Sequence, residues 1–338
     1  MRALNSAVTG LQAQQTAMDV IGNNIANVNT AGFKSSRTDF SDLFYQTLQG
    51  GTNTTNASEV GYGTKVSGIS KDMSTTGYTA TGISSNLFIS GNGYFVVSND
   101  DGSHTAGTSK SDLATNTATV NDLYTRVGNF KTTADGYLVD ASGNYVMGVD
   151  KTTLSTSPVK LHAINFVNST FHPSDATGTT NDVTILSSTA TIPANSTTQV
   201  NWGSSAIQDM TFNQDGTISA TINGVKGTFE YGTSVGATGA AATDNMTIGL
   251  ASFANQDGLT QAGNTSFASS ASSGSASYMQ PMNNNQTYLV SGGLEQSNVD
   301  LAQEFTNMIV TQRGFQANSR VITVADSLLE EIVNLKRS

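Results

Sequence analysis

Cysteine is absent from the 338 residues, which excludes disulfides, thiolate nucleophiles and thiolate metal sites. Charge is scarce as well, at 12% of residues, and the balance is acidic, with a formal net charge of −10. Nucleic acids and anionic lipid surfaces are gripped by clustered Lys and Arg, and only 15 such residues are scattered along this chain. Neither is expected as a partner. The three histidines, His104, His162 and His172, stand at no metal-ligand spacing and no HExxH pattern occurs, so neither a metal nor a cofactor is expected. No run approaches the roughly 18 apolar residues of a membrane helix, so no membrane insertion is expected. The segment Met1–Val8 carries polar residues where a leader needs a continuous apolar core, so export, if it occurs, is expected without a cleaved signal peptide.

What replaces charge is Ser, Thr, Asn and 33 glycines. Thr suits half-exposed strands, and Gly and Asn supply turns. Short apolar runs punctuated by turn signals fill the middle of the chain. Leu87–Ser90 and Tyr94–Val97 flank Gly91-Asn92-Gly93 and read as a hairpin. Asp135-Gly136, Ser142-Gly143-Asn144, Asp215-Gly216 and Asn223-Gly224 mark further turns. Spacing of this kind predicts an antiparallel β-sandwich or barrel. His104 to Asp122 reads as a long polar loop, 151–205 as a small inserted β subdomain, and Ser266 to Ala276 as an exposed connector.

The two ends follow a different period. Leu4, Ala7/Val8, Leu11, Met18, Ile21, Ile25 and Val28 recur in steps of three and four, the mark of one helical face, and Gly32 is placed to end the element. After Gly292-Gly293, the pattern Ser297-x-x-Asp300 reads as a capping box opening a helix of about 38 residues, ~57 Å long. Its stripe is Leu301, Phe305, Met308, Phe315, Ile322 and Leu329. The first helix is weak by itself: Gly10, Gly22, Asn23, Asn24 and Asn27 together cost on the order of 3 kcal/mol relative to Ala. The two ends are therefore expected to pair, with Leu4, Leu11, Met18, Ile21 and Ile25 packing against the second stripe.

Signals for catalysis are weak throughout. Gly91-Asn92-Gly93 lacks the third glycine and following helix of a phosphate loop, and no G-x-S-x-G elbow is present. Asp100-Asp101-Gly102 lacks the alternating ligands of a Ca²⁺ loop, and Trp202 has no aromatic neighbours to form a sugar platform. The chain reads as a non-enzyme. Composition alone leaves one reading of another class open, a secreted surface adhesin or glycan-binding β-protein.

The run Met18-Asp19-Val20-Ile21-Gly22-Asn23-Asn24-Ile25-Ala26-Asn27-Val28-Asn29-Thr30-Ala31-Gly32-Phe33-Lys34 resembles the N-terminal signature of the bacterial flagellar rod and hook proteins. The stretch from Ser297 through Gln312-Arg313-Gly314-Phe315 to Asn318-Ser319 is similar to that family's C-terminal end, most of all to its hook member. Gly91–Val97 and Tyr124–Phe130 resemble its β-domain. On this resemblance Asn23, Asn24, Asn27, Gly32, Phe33, Gln312, Arg313 and Asn318 are family-motif positions. The resemblance implies a structural subunit that polymerises with itself into the bendable hook, transmitting torque from rod to filament. It also implies passage through the flagellar export apparatus to the cell exterior, and contact with distal rod, hook cap and hook–filament junction proteins. The insertion after Asp150 favours the hook, whereas the long stretch Leu43 to Tyr62 resembles a distal rod subunit.

The fold class expected from all this is α+β and discontinuous: a terminal helical domain (1–32 with 296–338) pairing as a coiled-coil-like stalk, an extended connector (33–76 with 280–295), a β-rich domain (77–150 with 206–279) and the inserted subdomain.

Overall fold

The computed structural model describes residues 2–51, 56–98, 122–149, 161–166, 170–173, 183–186, 199–201, 207–222, 225–230, 247–282 and 287–335. Most of the expected loop from His104 to Asp122, most of the 151–205 insertion, Asp100-Asp101, Trp202 and Asn223-Gly224 lie outside these residues. What is described is mostly strand, with one helix at each end of the chain, an α+β arrangement. It divides into two compact units, Met1–Ser74 with Ser297–Ser338, and Thr75–Gln296.

The first unit contains both helices. α1 runs Arg2–Ala26 and α2 runs Leu301–Leu335. α1 stops at the Asn-rich segment, where Asn27 Nδ2 donates to the Asn23 carbonyl at 2.9 Å. The chain then turns through Gly32, whose φ of +64° strongly favours glycine there. α2 is capped differently from the expected box. Asp300, immediately before the helix, accepts from the amides of Ala302 at 2.9 Å and Gln303 at 3.3 Å. Ser297 Oγ accepts only from Val299, at 3.4 Å. Asp is the better cap because its charge also opposes the positive end of the helix dipole.

Between the helices lies a long two-stranded ribbon. β1 (Ser36–Asp42) pairs antiparallel with β4 (Thr64–Lys71), and β2 (Tyr45–Gln49) with β3 (Ser58–Gly61). Bulges at Asp39/Phe40 and at Thr47/Gln49 break the register, the usual means of twisting a ribbon and blunting its edges. The ribbon packs along α1. At Gly63, with φ of +110°, an added Cβ would collide with the Thr9 hydroxyl.

The second unit holds a ten-stranded and a six-stranded sheet among smaller ones. β5 (Tyr78–Ala80) pairs with Gly293–Glu295, the last strand before the chain leaves the unit. β6 (Asn86–Ser90) and β7 (Tyr94–Ser98) do not form the expected hairpin. β6 pairs with Tyr288–Ser291 and Gly128–Asn129, while β7 pairs with β8 (Asp122–Thr125), Tyr145–Val149 and Leu250–Ser252. The burial of these strands explains the difference. Both are apolar on successive residues and covered on both faces, so each sits inside its own sheet, and Gly91 and Gly93 turn the chain from one sheet to the other.

The expected connector Ser266 to Ala276 also departs from its reading. Ser266–Ala268 is a strand of the ten-stranded sheet, pairing with β8, and Phe267 is buried. Its alternation is too short to stand out among Ser and Ala. One apolar core joins the sheets: Leu87, Phe95, Val97 and Val146 meet Ile218, Phe229 and Leu289.

Candidate functional site

The features with most to say about function lie in the first unit, where the two ends of the chain meet. Three residue pairs fix how the helices pack. The Asn318 side chain lies over Gly10, where an added Cβ would sit 2.7 Å from Nδ2. The Gln14 side chain lies over Gly314, 3.1 Å from the equivalent point. Asn24 Nδ2 donates to Glu304 Oε1 at 2.9 Å. Each step forward along α1 is one step back along α2, so the helices run antiparallel in constant register.

The buried residues of α1 are Ala7, Gly10, Ala13, Ala17, Ile21 and Asn24, a seam of mostly small side chains at steps of three and four. Small residues let helix backbones approach closely. Opposite them, Glu304, Met308, Thr311, Phe315, Asn318, Ile322 and Ala325 are the less exposed positions of α2. The same register leaves Ser327 to Leu335 running past the start of α1, about 13 Å of helix.

Of the residues read from the sequence as packing positions, Ile21 is buried, and Leu4, Leu11, Met18 and Ile25 are half-buried. Met308, Phe315 and Ile322 are half-buried on α2. Leu301, Phe305 and Leu329 are exposed, Phe305 at 51%. They share the outside of α2 with Ile309, Val310, Val324, Leu328, Ile332 and Val333. α2 thus carries apolar side chains on two sides, and α1 covers one. Of this seam, Ala7 stood in the sequence stripe, whereas Gly10, Ala13 and Ala17 escape a search for large apolar residues; a count of small residues at helical spacing would have found them.

The family-motif positions take several structural roles. Asn24 is 1% exposed and both its amide protons are used: besides Glu304, its Nδ2 donates to the Ser36 carbonyl at 2.8 Å, and its Oδ1 accepts from the Ser36 amide at 3.0 Å. One side chain thereby ties α1, the start of β1 and the first turn of α2. Phe33 and Gly32 are buried in the turn that follows. Asn23 is exposed and Asn27 half-buried; Gln312 and Arg313 are exposed, and Asn318 covers Gly10.

Sequence reading missed a second set of ties. Lys34 is buried and its Nζ donates to the Ser74 carbonyl at 2.6 Å. Asn298 Oδ1 accepts from the Ser35 amide at 2.6 Å, and its Nδ2 donates to the Asp72 carbonyl at 2.9 Å. The Ser74 amide, donating to Asp72, holds that carboxyl below its ordinary range. These bonds stitch both ends of the ribbon to the segment leading into α2. No signal for them exists beyond the polar residues themselves.

The ribbon also exposes apolar side chains, Phe40, Phe44, Tyr45, Leu48 and Ile69, with Phe44 at 83%. Among the described residues, no cluster of three or more His, Cys, Asp or Glu could hold a metal ion, and no helix is long and apolar enough to cross a membrane.

This arrangement of chain ends and sheets matches known families along most of its length. Residues 4–34 match the flagella basal body rod protein family, residues 88–220 the flagellar hook protein FlgE/F/G D1 domain, and residues 290–335 the C-terminal region of the flagellar basal body rod FlgEFG proteins. The chain is 34% identical over 344 positions to the flagellar basal-body rod protein FlgG of Bacillus subtilis, with 100% of each chain covered. It is 30% identical to the FlgG of Agrobacterium fabrum, covering 97% of each. It is 29% identical over 460 positions to the flagellar hook protein FlgE of Borreliella burgdorferi, covering 99% of this chain and 100% of that one. These matches leave no place for the adhesin or glycan-binding reading, and they make the chain a structural component of the flagellum, not an enzyme. It belongs to the flagellar rod and hook protein family.

Proposed function

We propose that the protein is a subunit of the hollow axial structure of the flagellum, built up by self-association through its terminal helices, and that its place is the hook. The observation that carries self-association is the uncovered side of α2. A helix with apolar residues at Phe305, Ile309, Val310, Val324, Leu328, Ile332 and Val333 facing water, and a partner on its other side only, is suited to further helices of the same kind. Each such side chain contributes about 1.5–3 kcal/mol when fully buried. On this reading the α1–α2 pair acts as a coiled-coil-like stalk in the tube wall, with 1–32 and 296–338 as the polymerising part. The β-rich unit is packed as a sandwich, with 151–205 as an added subdomain, and the subunit is exported to the cell exterior through the flagellar export apparatus. Its neighbours are copies of itself, the distal rod, the hook cap and the hook–filament junction proteins.

The insertion after Asp150 and the closing stretch from Gly293 support the hook. A second reading, distal rod, has its own support. The alignment with the hook relative contains more than a hundred positions that this chain lacks, and the ribbon from Ser36 to Lys71 is a long element of the kind read as rod-like from the sequence. Electron microscopy of basal bodies from a strain lacking this chain separates the two. A complete rod without a hook assigns the hook; a truncated rod assigns the distal rod. Intact flagella contradict both.

A further inference from the structure

The chain enters the second unit at Thr75 and leaves it at Gln296, so the unit hangs on two connections. Just inside that boundary the two are laced together. The Thr76 hydroxyl donates to the Gln296 carbonyl at 2.5 Å, and the Gln296 amide donates to the Gly77 carbonyl at 3.0 Å. The Thr76 amide donates to Glu295 Oε1 at 3.1 Å. Beyond them, Tyr78, Thr79 and Ala80 of β5 face Glu295, Leu294 and Gly293 in antiparallel register.

Three paired residues with every β5 side chain exposed form a weak pair on their own. Pulling the two connections apart would open it from the Thr76 end, one bond at a time. What stands behind that end is unusual for a surface strand. Glu295 is buried, and its Oε2 accepts from Arg126 Nε at 2.9 Å. The Arg126 Nη1 donates to the Gly93 carbonyl at 2.6 Å and the Gly91 carbonyl at 3.0 Å, and Nη2 donates to Gly91 at 3.0 Å. The guanidinium also lies 5.8 Å from the centre of the Tyr94 ring. Gly91 and Gly93 form the turn between β6 and β7, both buried in the core sheets.

We infer that Arg126 and Glu295 are a clamp, which fastens the two connections of the second unit to its core and keeps β5 and Gly293–Glu295 from unzipping. A buried ion pair adds little net stability, because desolvation offsets its attraction. Its value here is positional. Only a planar guanidinium can hold one carboxylate and two carbonyls in a fixed fork, which a lysine cannot copy. Arg126 is thus a positioning residue, acting on Thr76 and Gln296 through Glu295. If the subunit polymerises as proposed, force between its units passes through these two connections; that consequence rests on the polymer reading, whereas the clamp does not.

Amide hydrogen exchange on the full chain tests it. In Arg126→Lys, the amides of Thr76 and Gln296 lose at least tenfold in protection, while those of Phe95 to Val97 in β7 change by less than threefold. Thr76→Val, which removes the hydroxyl's bonds to the Gln296 carbonyl and, at 3.3 Å, to Glu295 Oε1 but keeps the Arg126–Glu295 bond, loosens Gln296 and serves if the lysine variant fails to fold. Unchanged exchange at Gln296 in Thr76→Val, unchanged exchange at both amides in Arg126→Lys, or an equal loss of protection across the whole unit, overturns the clamp. Microscopy of the deletion strain bears only on the polymer, so the two readings fail separately.

Discussion

Asn24 and Glu304, 280 residues apart in the chain, are joined by a hydrogen bond of 2.9 Å. Asn24 also bonds both backbone groups of Ser36, so both of its amide N–H donors are used and its oxygen accepts once, a pattern that no isostere reproduces. Asn24→Asp replaces the donor with an acceptor facing the Glu304 carboxylate and the Ser36 carbonyl. The expected cost at neutral pH is about 2–3 kcal/mol, larger than for Asn24→Ala. Pairing Asn24→Asp with Glu304→Gln should restore part of the loss. Subunit assembly and swimming in soft agar, measured for the two single variants and the double, check the coupling.

Gly10 lies beneath the Asn318 side chain in the seam between the helices. The Cβ of Gly10→Ala meets only the end of the Asn318 side chain, which can move, and alanine favours the helix by ~1 kcal/mol. Alanine should therefore be tolerated, while Gly10→Leu forces the seam apart and abolishes assembly. Motility of the two variants decides the point. Equal motility in both would mean that Gly10 does not lie in a tight seam.

Much of the terminal region was legible in the sequence, and its reasons are local. Steps of three and four placed both helices, although the stripe was read on to Val28 with Gly32 as its end, whereas α1 stops at Ala26. Left-handed glycines also stood where turn dipeptides predicted them, at Gly136, Gly143 and Gly216. The pairing of the two ends was legible, but the partners of individual strands and polar side chains were not. Nothing local to Leu87 or Phe95 says that their strands belong to different sheets, and Asn24 looks like any helix-ending asparagine until Glu304 is folded beside it. Ala13 and Ala17 are good helix formers in any context, so their burial became visible only with the opposing helix in place.

Gly128 gives a sharp test of the β-rich unit. A Cβ there would run into the Leu87 carbonyl group and lie 3.0 Å from the Phe95 ring, both fixed within the core. Gly128→Ala should cost on the order of 3 kcal/mol or more, or prevent folding of that unit. Gly143 meets nothing within 4 Å and has only its φ of +86° to defend, so Gly143→Ala should cost about 1 kcal/mol. Urea unfolding of both variants measures the difference.

Asp122 gives the unit a pH dependence. Its carboxyl is raised above 3.8 by burial, partly offset by the Tyr278 hydroxyl, which donates to Oδ2 at 3.2 Å; its other oxygen is buried with no partner among the described residues. The folded chain therefore holds this proton more tightly than the unfolded chain. Its contribution to stability is complete below pH 3.8 and is lost as pH rises through the folded-state value. Asp122→Asn keeps an acceptor for Tyr278 without a buried charge. It should stabilise the unit at pH 7 and flatten this part of the profile, as read by melting temperature across pH 3 to 8. Destabilisation by the same amount at every pH would contradict the assignment.

The outer side of α2 carries the claim on which the functional reading depends. Ile309 and Ile332 are 59% and 61% exposed in the single chain, so an aspartate at either position costs its own fold little. Electron microscopy of cells producing Ile309→Asp or Ile332→Asp, with the melting temperature of the purified subunit alongside, is the most direct measurement. The account predicts subunits that melt like the parent chain and are exported, yet build no tube. Normal tubes and normal swimming from both variants would contradict it.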